Sequence, residues 1–162
     1  MSTHHDPALF ALCVRALTHI PLTDDNHTVA AAVRSRRDPS QTFVALNVYH
    51  FTGGPCAELS VLGAAAAGGL LADDIEIIMA VCRRVKPGVS SLGGDSSVVF
   101  RVINPCGRCC QTMLDYSPRM KVVVLDREGK EVRVGVRELL VYDSVWEDGN
   151  TGREEKRLRE GA

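Results

Sequence analysis

Three cysteines and one glutamate carry the chemistry that this sequence suggests. Cys56 and Glu58 stand in the segment GGPCAEL, and Cys106 and Cys109 stand in the distant segment PCGRC. Three thiolates fill three corners of a zinc tetrahedron and leave the fourth for water, which is the coordination of a catalytic zinc rather than a structural one. The sequence therefore predicts a Zn²⁺ site held by the three cysteines, with Glu58 as the partner of that water.

The local sequence also predicts where these residues lie in the secondary structure. Pro55 and Pro105 each precede a cysteine, and a run of helix-forming residues follows each pair. We therefore expect Cys56 and Cys106 on the first turns of two helices, where the helix dipole and the free amide groups favour a thiolate. Two helix N-termini then converge on one metal.

Such a site is suited to the hydrolytic deamination of an amidine-like ring. Zinc lowers the pKa of its water toward ~7, a carboxylate takes the proton, and the ring carbon bearing the amino group is attacked. The same carboxylate then protonates the ring nitrogen and the departing ammonia. Glu58 is accordingly predicted to be the catalytic proton shuttle.

The alternative to an enzyme is a structural zinc module or a binder without activity. A structural site requires four protein ligands, and the candidates for the fourth are His50, Cys82 and Cys110. Glu58 argues against this alternative, because a carboxylate beside a closed thiolate site adds a charge that nothing compensates.

Composition bounds the class of protein. The 162 residues are 45% hydrophobic and 24% charged, which suits one globular domain with a substantial core. The net charge is −1, and no basic run is interleaved with aromatic residues, so a nucleic-acid partner is not expected. The sequence has neither a long apolar span nor the order of a secretory signal, so no membrane association and a cytoplasmic location are expected. There, six cysteines indicate zinc ligands and buried thiols rather than disulfides.

Periodicity and turn residues predict an α/β fold. Asp6 caps a first helix that opens with Pro7. The predicted strands are two hairpin strands at 28–35 and 42–49, single strands at 74–83 and 98–103, and a final pair at 121–125 and 131–136. Together with the two metal helices they predict a three-layer sandwich, with a mixed five-stranded sheet and both metal helices on one face.

Two segments are predicted to lie outside the folded framework. Residues 84–97 are rich in glycine and serine, and they are interpreted as a surface insertion or, alternatively, as a lid over the substrate. The tail at 150–162 is mostly charged and is expected to be disordered. The zinc domain is therefore predicted to span residues 1–149.

Both cysteine segments resemble the cytidine deaminase superfamily. The run NVYHFTGGPCAEL, the following VLG and alanine run, and the C-terminal VRELL and VWE are similar to the blasticidin S deaminases within that superfamily. This resemblance implies a cytidine deaminase-like fold, a cytosine nucleoside as the small-molecule substrate, and a homotetramer in which neighbouring subunits complete each pocket. It implies deamination of the cytosine amino group of blasticidin S, hence antibiotic resistance; the alternative is a deaminase of cytidine, deoxycytidine or another nucleoside or base.

The resemblance also implies a set of substrate-binding residues, namely Thr28, Asn47, Tyr49, Arg101 and Trp146. Cytidine deaminases carry Asn-x-Glu where this chain has Asn47 and, two residues later, Tyr49. A ribose hydroxyl that loses this carboxylate loses a charge-assisted hydrogen bond of ~1.5–3 kcal/mol. The flat walls of Tyr49 and Trp146 would suit a sugar ring without those hydroxyls.

Three positions depart from the family pattern. Arg101 lies five residues before Cys106, whereas the corresponding arginine of the family lies six before. Cys110 replaces an arginine whose charge offsets the thiolates, a role that Arg108 is a candidate to fill. Ser144 replaces a tyrosine that contacts the substrate, and Tyr142 is the nearest phenol.

Overall fold

The computed structural model describes residues 4–85 and 98–144. The helices are α1 (Pro7–Thr18), α2 (Ala57–Ala67) and α3 (Gly107–Tyr116). The strands are β1 (Val29–Ser35), β2 (Thr42–Leu46), β3 (Ile75–Val85), β4 (Val98–Val102), β5 (Lys121–Leu125) and β6 (Glu131–Gly135). Short 3₁₀ turns follow at Ala72–Asp74 and Val136–Leu139. The 86–97 part of the predicted insertion, the predicted tail and Trp146 lie outside the described residues.

The sheet has the predicted mixed character and five positions across its width. Its order is β2-β1-β3-β5-β6, with β4 paired to β3 beside this path. The first half of the long strand β3 pairs in parallel with β5, and its second half pairs antiparallel with β4. Six strands therefore occupy five positions, because β4 and β5 follow each other along one edge of β3.

Strand alternation divides the core into two layers. Ala30 and Ala32 of β1 pack toward α1, whereas Ala31 and Val33 pack toward α2 and α3. Residues of β3 alternate in the same way, with Met79 on the α1 side. One helix thus covers one face and the two metal helices cover the other, which confirms the predicted three-layer sandwich.

Helix α1 begins as its sequence predicts. The Asp6 side chain accepts a hydrogen bond from the Leu9 amide at 3.2 Å, and Pro7 occupies the first helical turn. A second oxygen of Asp6 is 2.6 Å from the Arg34 guanidinium of β1, so the cap also ties the helix to the sheet.

Within the described residues, no helix has the length and apolar character needed to cross a membrane.

The first hairpin differs from its prediction at one end. Strand β2 ends at Leu46 rather than at Tyr49. From Val48 onward the backbone leaves β1, and the Val48 amide donates to the Pro55 carbonyl at 3.1 Å. The chain between Asn47 and Cys56 therefore forms a loop that folds back on itself just before α2.

Candidate active site

Two of the three cysteines cap the helices that follow them. Cys56 precedes α2 with ψ 157°, and Cys106 precedes α3 with ψ 166°. Both residues are therefore extended N-caps, one position before the first turn on which the sequence placed them. Cys109 lies within the first turn of α3. In this arrangement the free amide groups of α3 face the sulfur of Cys106.

The three sulfurs are spaced as a tetrahedral zinc site requires. The Sγ of Cys106 lies 3.8 Å from the Sγ of Cys56 and 3.6 Å from that of Cys109, and all three sulfurs lie within 4.8 Å of one another. Zinc–sulfur bonds of about 2.3 Å at tetrahedral angles separate the sulfurs by about 3.8 Å. The residues present therefore fit zinc.

The ligand group stops at three residues. Across residues 4–85 and 98–144, the group that could hold a metal consists of the three cysteines, and neither His50, Cys82 nor Cys110 joins it. The Cys110 thiol instead donates to the Pro105 carbonyl at 3.7 Å. A site with three protein ligands keeps a position for water or substrate, as catalytic zinc sites do.

Glu58 lies beside this group, on the first turn of α2, with only 5% of its surface exposed. Burial raises the pKa of its carboxyl, while a hydrogen bond from the Cys109 thiol opposes the shift. A carboxyl held in a partly dry pocket, with its pKa moved toward neutrality, is suited to accept and return protons.

The thiols of α3 differ in acidity before any metal binds. Burial acts against ionisation of Cys106, but the nearby Cys109 and Arg108 amides lower the pKa of this thiol. Burial and then the Glu58 carboxylate raise the pKa of Cys109. Cys106 is therefore the thiol of α3 that ionises first.

Arg108 places a cation next to the ligands. Its guanidinium donates to the Gly54 carbonyl at 2.8 Å and reaches the Cys56 sulfur at 3.9 Å. The arginine thus links α3 to the loop before α2. Arg108 thus lies where its positive charge can offset the negative charge of the thiolates. The arginine of the family stands one position after the third cysteine, where this chain has Cys110.

A cavity of about 370 Å³ opens onto the site. Its lining comprises Val29, residues 47–50 and 53–58, Ile103, Asn104 and Cys106. This volume lies within the range of small-molecule sites. Cys56, Glu58 and Cys106 therefore line one pocket, and the buried Cys109 lies behind them.

The predicted substrate-binding residues fall into three groups. Asn47 and Tyr49 line the cavity, whereas Thr28 and Arg101 do not. Trp146 is outside the described residues. Thr28 immediately precedes the lining residue Val29. The Thr28 carbonyl accepts a hydrogen bond from the Arg83 amide at 2.9 Å.

Arg101 nevertheless lies on the pocket side of the sheet. Val102 belongs to the core beneath α1, whereas Ile103 packs in the core beneath α2 and α3 and lines the cavity. By strand alternation Arg101 shares the face of Ile103, about 7 Å farther from the metal site. Phe100, six residues before Cys106, packs on the α1 side, so Arg101 projects from the opposite face to the position that carries the arginine in the family.

Sequence reasoning did not identify Asn104 as a pocket residue. Asn104 stands two positions before Cys106 and lines the cavity. Its closeness to a metal ligand was the one feature of the sequence that could have marked it as a site residue. Ser144 stands where the family has a tyrosine that contacts the substrate, and its described contacts are made by its backbone. Its amide and carbonyl bond the Gln111 side chain at 2.9 and 3.0 Å, which anchors the C-terminal segment to α3.

Comparison with known proteins agrees with this geometry. No protein-family model matches the chain. A blasticidin-S deaminase from Bacillus cereus is 31% identical over 117 residues, which are 72% of this chain and 76% of the relative.

Solved structures extend the likeness to the fold. A cytidine deaminase from Bacillus anthracis superposes with a TM-score of 0.63 at 14% identity, covering 94% of each chain. One from Burkholderia pseudomallei gives 0.62 at 24% identity, covering 89% of this chain and 100% of the other. By its sequence relative the chain belongs to the blasticidin-S deaminase family, and its fold is that of the cytidine deaminases.

Proposed function

We propose that this protein is a zinc-dependent aminohydrolase that removes the cytosine amino group of blasticidin S and confers resistance to that antibiotic. The observation that carries the proposal is the group of three thiols with a buried carboxyl beside it, two of whose cysteines line one cavity together with that glutamate. The products are the deaminohydroxy compound and ammonia.

Each residue of the site has a role in this reaction. Cys56, Cys106 and Cys109 would hold Zn²⁺, which when bound supplies the Lewis acidity that makes water nucleophilic near neutral pH. Glu58 accepts the proton of the attacking water and delivers protons to the ring nitrogen and to the departing ammonia. Its burial keeps bulk water from competing for that proton.

The residues of the pocket wall support the proposal that the sugar of the substrate lacks ribose hydroxyls. Tyr49 stands where cytidine deaminases carry a glutamate, and it lines the cavity while remaining 66% exposed. The name of the Bacillus cereus relative points to the same substrate. Arg101, exposed on the pocket side of the sheet, is the proposed contact for the carboxylate of the antibiotic, and Thr28 and Trp146 are proposed to complete the set.

The runner-up is a deaminase of cytidine or deoxycytidine, which the cytidine deaminase structures of similar fold support. Purified protein incubated separately with blasticidin S, cytidine, deoxycytidine and cytosine distinguishes the two, because conversion of amino to oxo changes the absorbance of the base. We expect the highest kcat/KM on blasticidin S. Equal or higher kcat/KM on cytidine would establish the runner-up and leave the zinc chemistry intact.

We also propose a homotetramer. The exposed face of α2 carries small residues, among them Gly63, Ala64 and Ala67, and such a face permits close packing by another helix. Phe51, in the loop beside the pocket, is 85% exposed. Light scattering should give four chains per particle, and Ala64→Glu should give smaller particles, whereas Arg127→Glu in the distant turn after β5 should not.

A cytoplasmic location is proposed from the thiols. All six cysteines are free, and Cys13 and Cys82 are buried away from the zinc group. Free thiols persist in a reducing compartment. Fractionation of cells that produce the protein should find it with the cytoplasmic markers.

A further inference from the structure

Asn104 joins two strands that do not pair with each other along their length. Strands β4 and β5 both pair with β3, and the described ladders contain no pairing between them. The Asn104 side chain bridges this break. Its Oδ1 accepts from the Leu125 amide at 2.6 Å, and its Nδ2 donates to the Leu125 carbonyl at 3.0 Å. The side-chain amide thus pairs with β5 as a peptide group of a neighbouring strand would.

Asn47 makes the same type of connection in the other half of the site. It follows the end of β2, and its Oδ1 accepts from the Val29 amide at 2.9 Å. Its Nδ2 donates to the Asn26 carbonyl at 2.8 Å. Each of the two loops that lead to a metal-ligand helix therefore starts at an asparagine whose amide is bonded at both ends to the backbone of the framework.

We propose that Asn104 and Asn47 are positioning residues that fix the two ligand-bearing loops. The proposal rests on the zinc assignment made above. One residue, Pro105, separates Asn104 from Cys106, and proline restricts the backbone between them. Any movement of Asn104 should therefore also move the Cys106 sulfur.

The expected effects of the two asparagines differ in size. Groups that orient metal ligands typically change metal affinity by about 10–100-fold when they are removed. Asn104 should fall in this range. Asn47 should have a smaller effect of about threefold to tenfold, because the long loop from Asn47 to Cys56 is also held by the Val48 to Pro55 hydrogen bond.

The pocket chemistry follows from these bonds. Asn47 and Asn104 line the cavity, yet the carbonyl and the amino group of each already have a backbone partner. Each amide keeps one N–H and one oxygen lone pair beyond these bonds. The two backbone bonds fix the orientation of each side chain, so any contact with the substrate would have to use that fixed orientation.

The test compares zinc affinity, measured by competition with a chromophoric chelator, in the parent and in Asn104→Ala, Asn104→Leu and Asn47→Ala. Leucine keeps the shape of the side chain and removes both hydrogen bonds. Ser117→Ala is the matched control, because the Ser117 hydroxyl donates to the Ala72 carbonyl at 2.7 Å at the opposite end of α3. The visible absorption of cobalt(II)-substituted protein reports the geometry of the thiolate site independently.

We expect both Asn104 variants to bind zinc at least tenfold more weakly and to show altered cobalt spectra, with kcat falling more than KM rises. Ser117→Ala should lose thermal stability but keep the zinc affinity and the spectrum of the parent. Parent affinity and spectrum in both Asn104 variants would overturn the inference. For Asn47→Ala, a raised KM with unchanged zinc affinity would identify a direct substrate contact and refute its positioning role. A parent protein that binds no zinc would instead overturn the proposed function itself.

Discussion

Replacement of Glu58 by glutamine tests the chemistry with little change of structure. Glutamine has the shape of glutamate, and Glu58 is not among the metal ligands, so the variant should fold and keep one zinc per chain. It cannot carry the proton. A positioned acid or base typically contributes about 10²–10⁴-fold, which corresponds to roughly 3–5 kcal/mol of barrier.

Among the described residues that line the cavity, Glu58 is the one carboxyl, and the His50 imidazole on the same lining is exposed. Glu58 is 5% exposed, and in the proposed mechanism it serves several proton transfers at one buried position. We therefore expect kcat to fall by at least about 10²–10⁴-fold. The assay is the absorbance change of the base, with zinc content measured on the same samples and Glu128→Gln, in the exposed turn after β5, as the control. Activity within tenfold of the parent would remove Glu58 from the mechanism, and simultaneous loss of zinc would show that its role is structural.

Three further predictions follow from the same site. Cys106→Ala should lose zinc and unfold at lower temperature, since thiolate zinc sites stabilise small folds by about 10 kcal/mol; full zinc content would exclude this ligand. Gly54→Ala should reduce both zinc content and activity, because a Cβ there would lie 1.8 Å from the Val48 carbonyl oxygen; a variant equal to the parent in both would contradict the described loop. In metal-free protein, Glu58→Gln should raise Tm at pH 7 but not at pH 4. The raised pKa of Glu58 means that the folded chain holds the carboxyl proton more tightly than the unfolded chain. The free energy of unfolding therefore falls as pH rises from the pKa of Glu58 in the unfolded chain through its higher pKa in the folded chain. Equal Tm differences at both pH values would refute this assignment.

The parts of the site that the sequence predicted are those that local residues determine. The cysteine spacing of PCGRC puts Cys106 at the N-cap and Cys109 three residues later on the first turn of the same helix, and proline fixes where that helix begins. The strands β1 and β3 are nearly continuous apolar runs, and their side chains alternate between the two core layers because strand side chains repeat with a period of two. These features require no knowledge of which strands meet.

The parts that were missed depend on contacts between distant segments. The bonds of Asn104 need Leu125, and this pairing exists only because β4 and β5 share one edge of β3. The face on which Arg101 projects likewise depends on the register of β4 against β3. Residue types and spacing near Cys106 contain neither fact.

The spacing of the sulfurs has a practical consequence for handling the protein. A disulfide bond is about 2.05 Å long, so sulfurs 3.6 Å apart need only a small approach to become bonded. We therefore expect a metal-free preparation left in air to lose the proposed zinc site through oxidation of the Cys106 and Cys109 thiols to a disulfide. Such a sample should bind zinc again only when a reductant is added first, so a zinc content below one per chain should be judged together with the storage history of the sample.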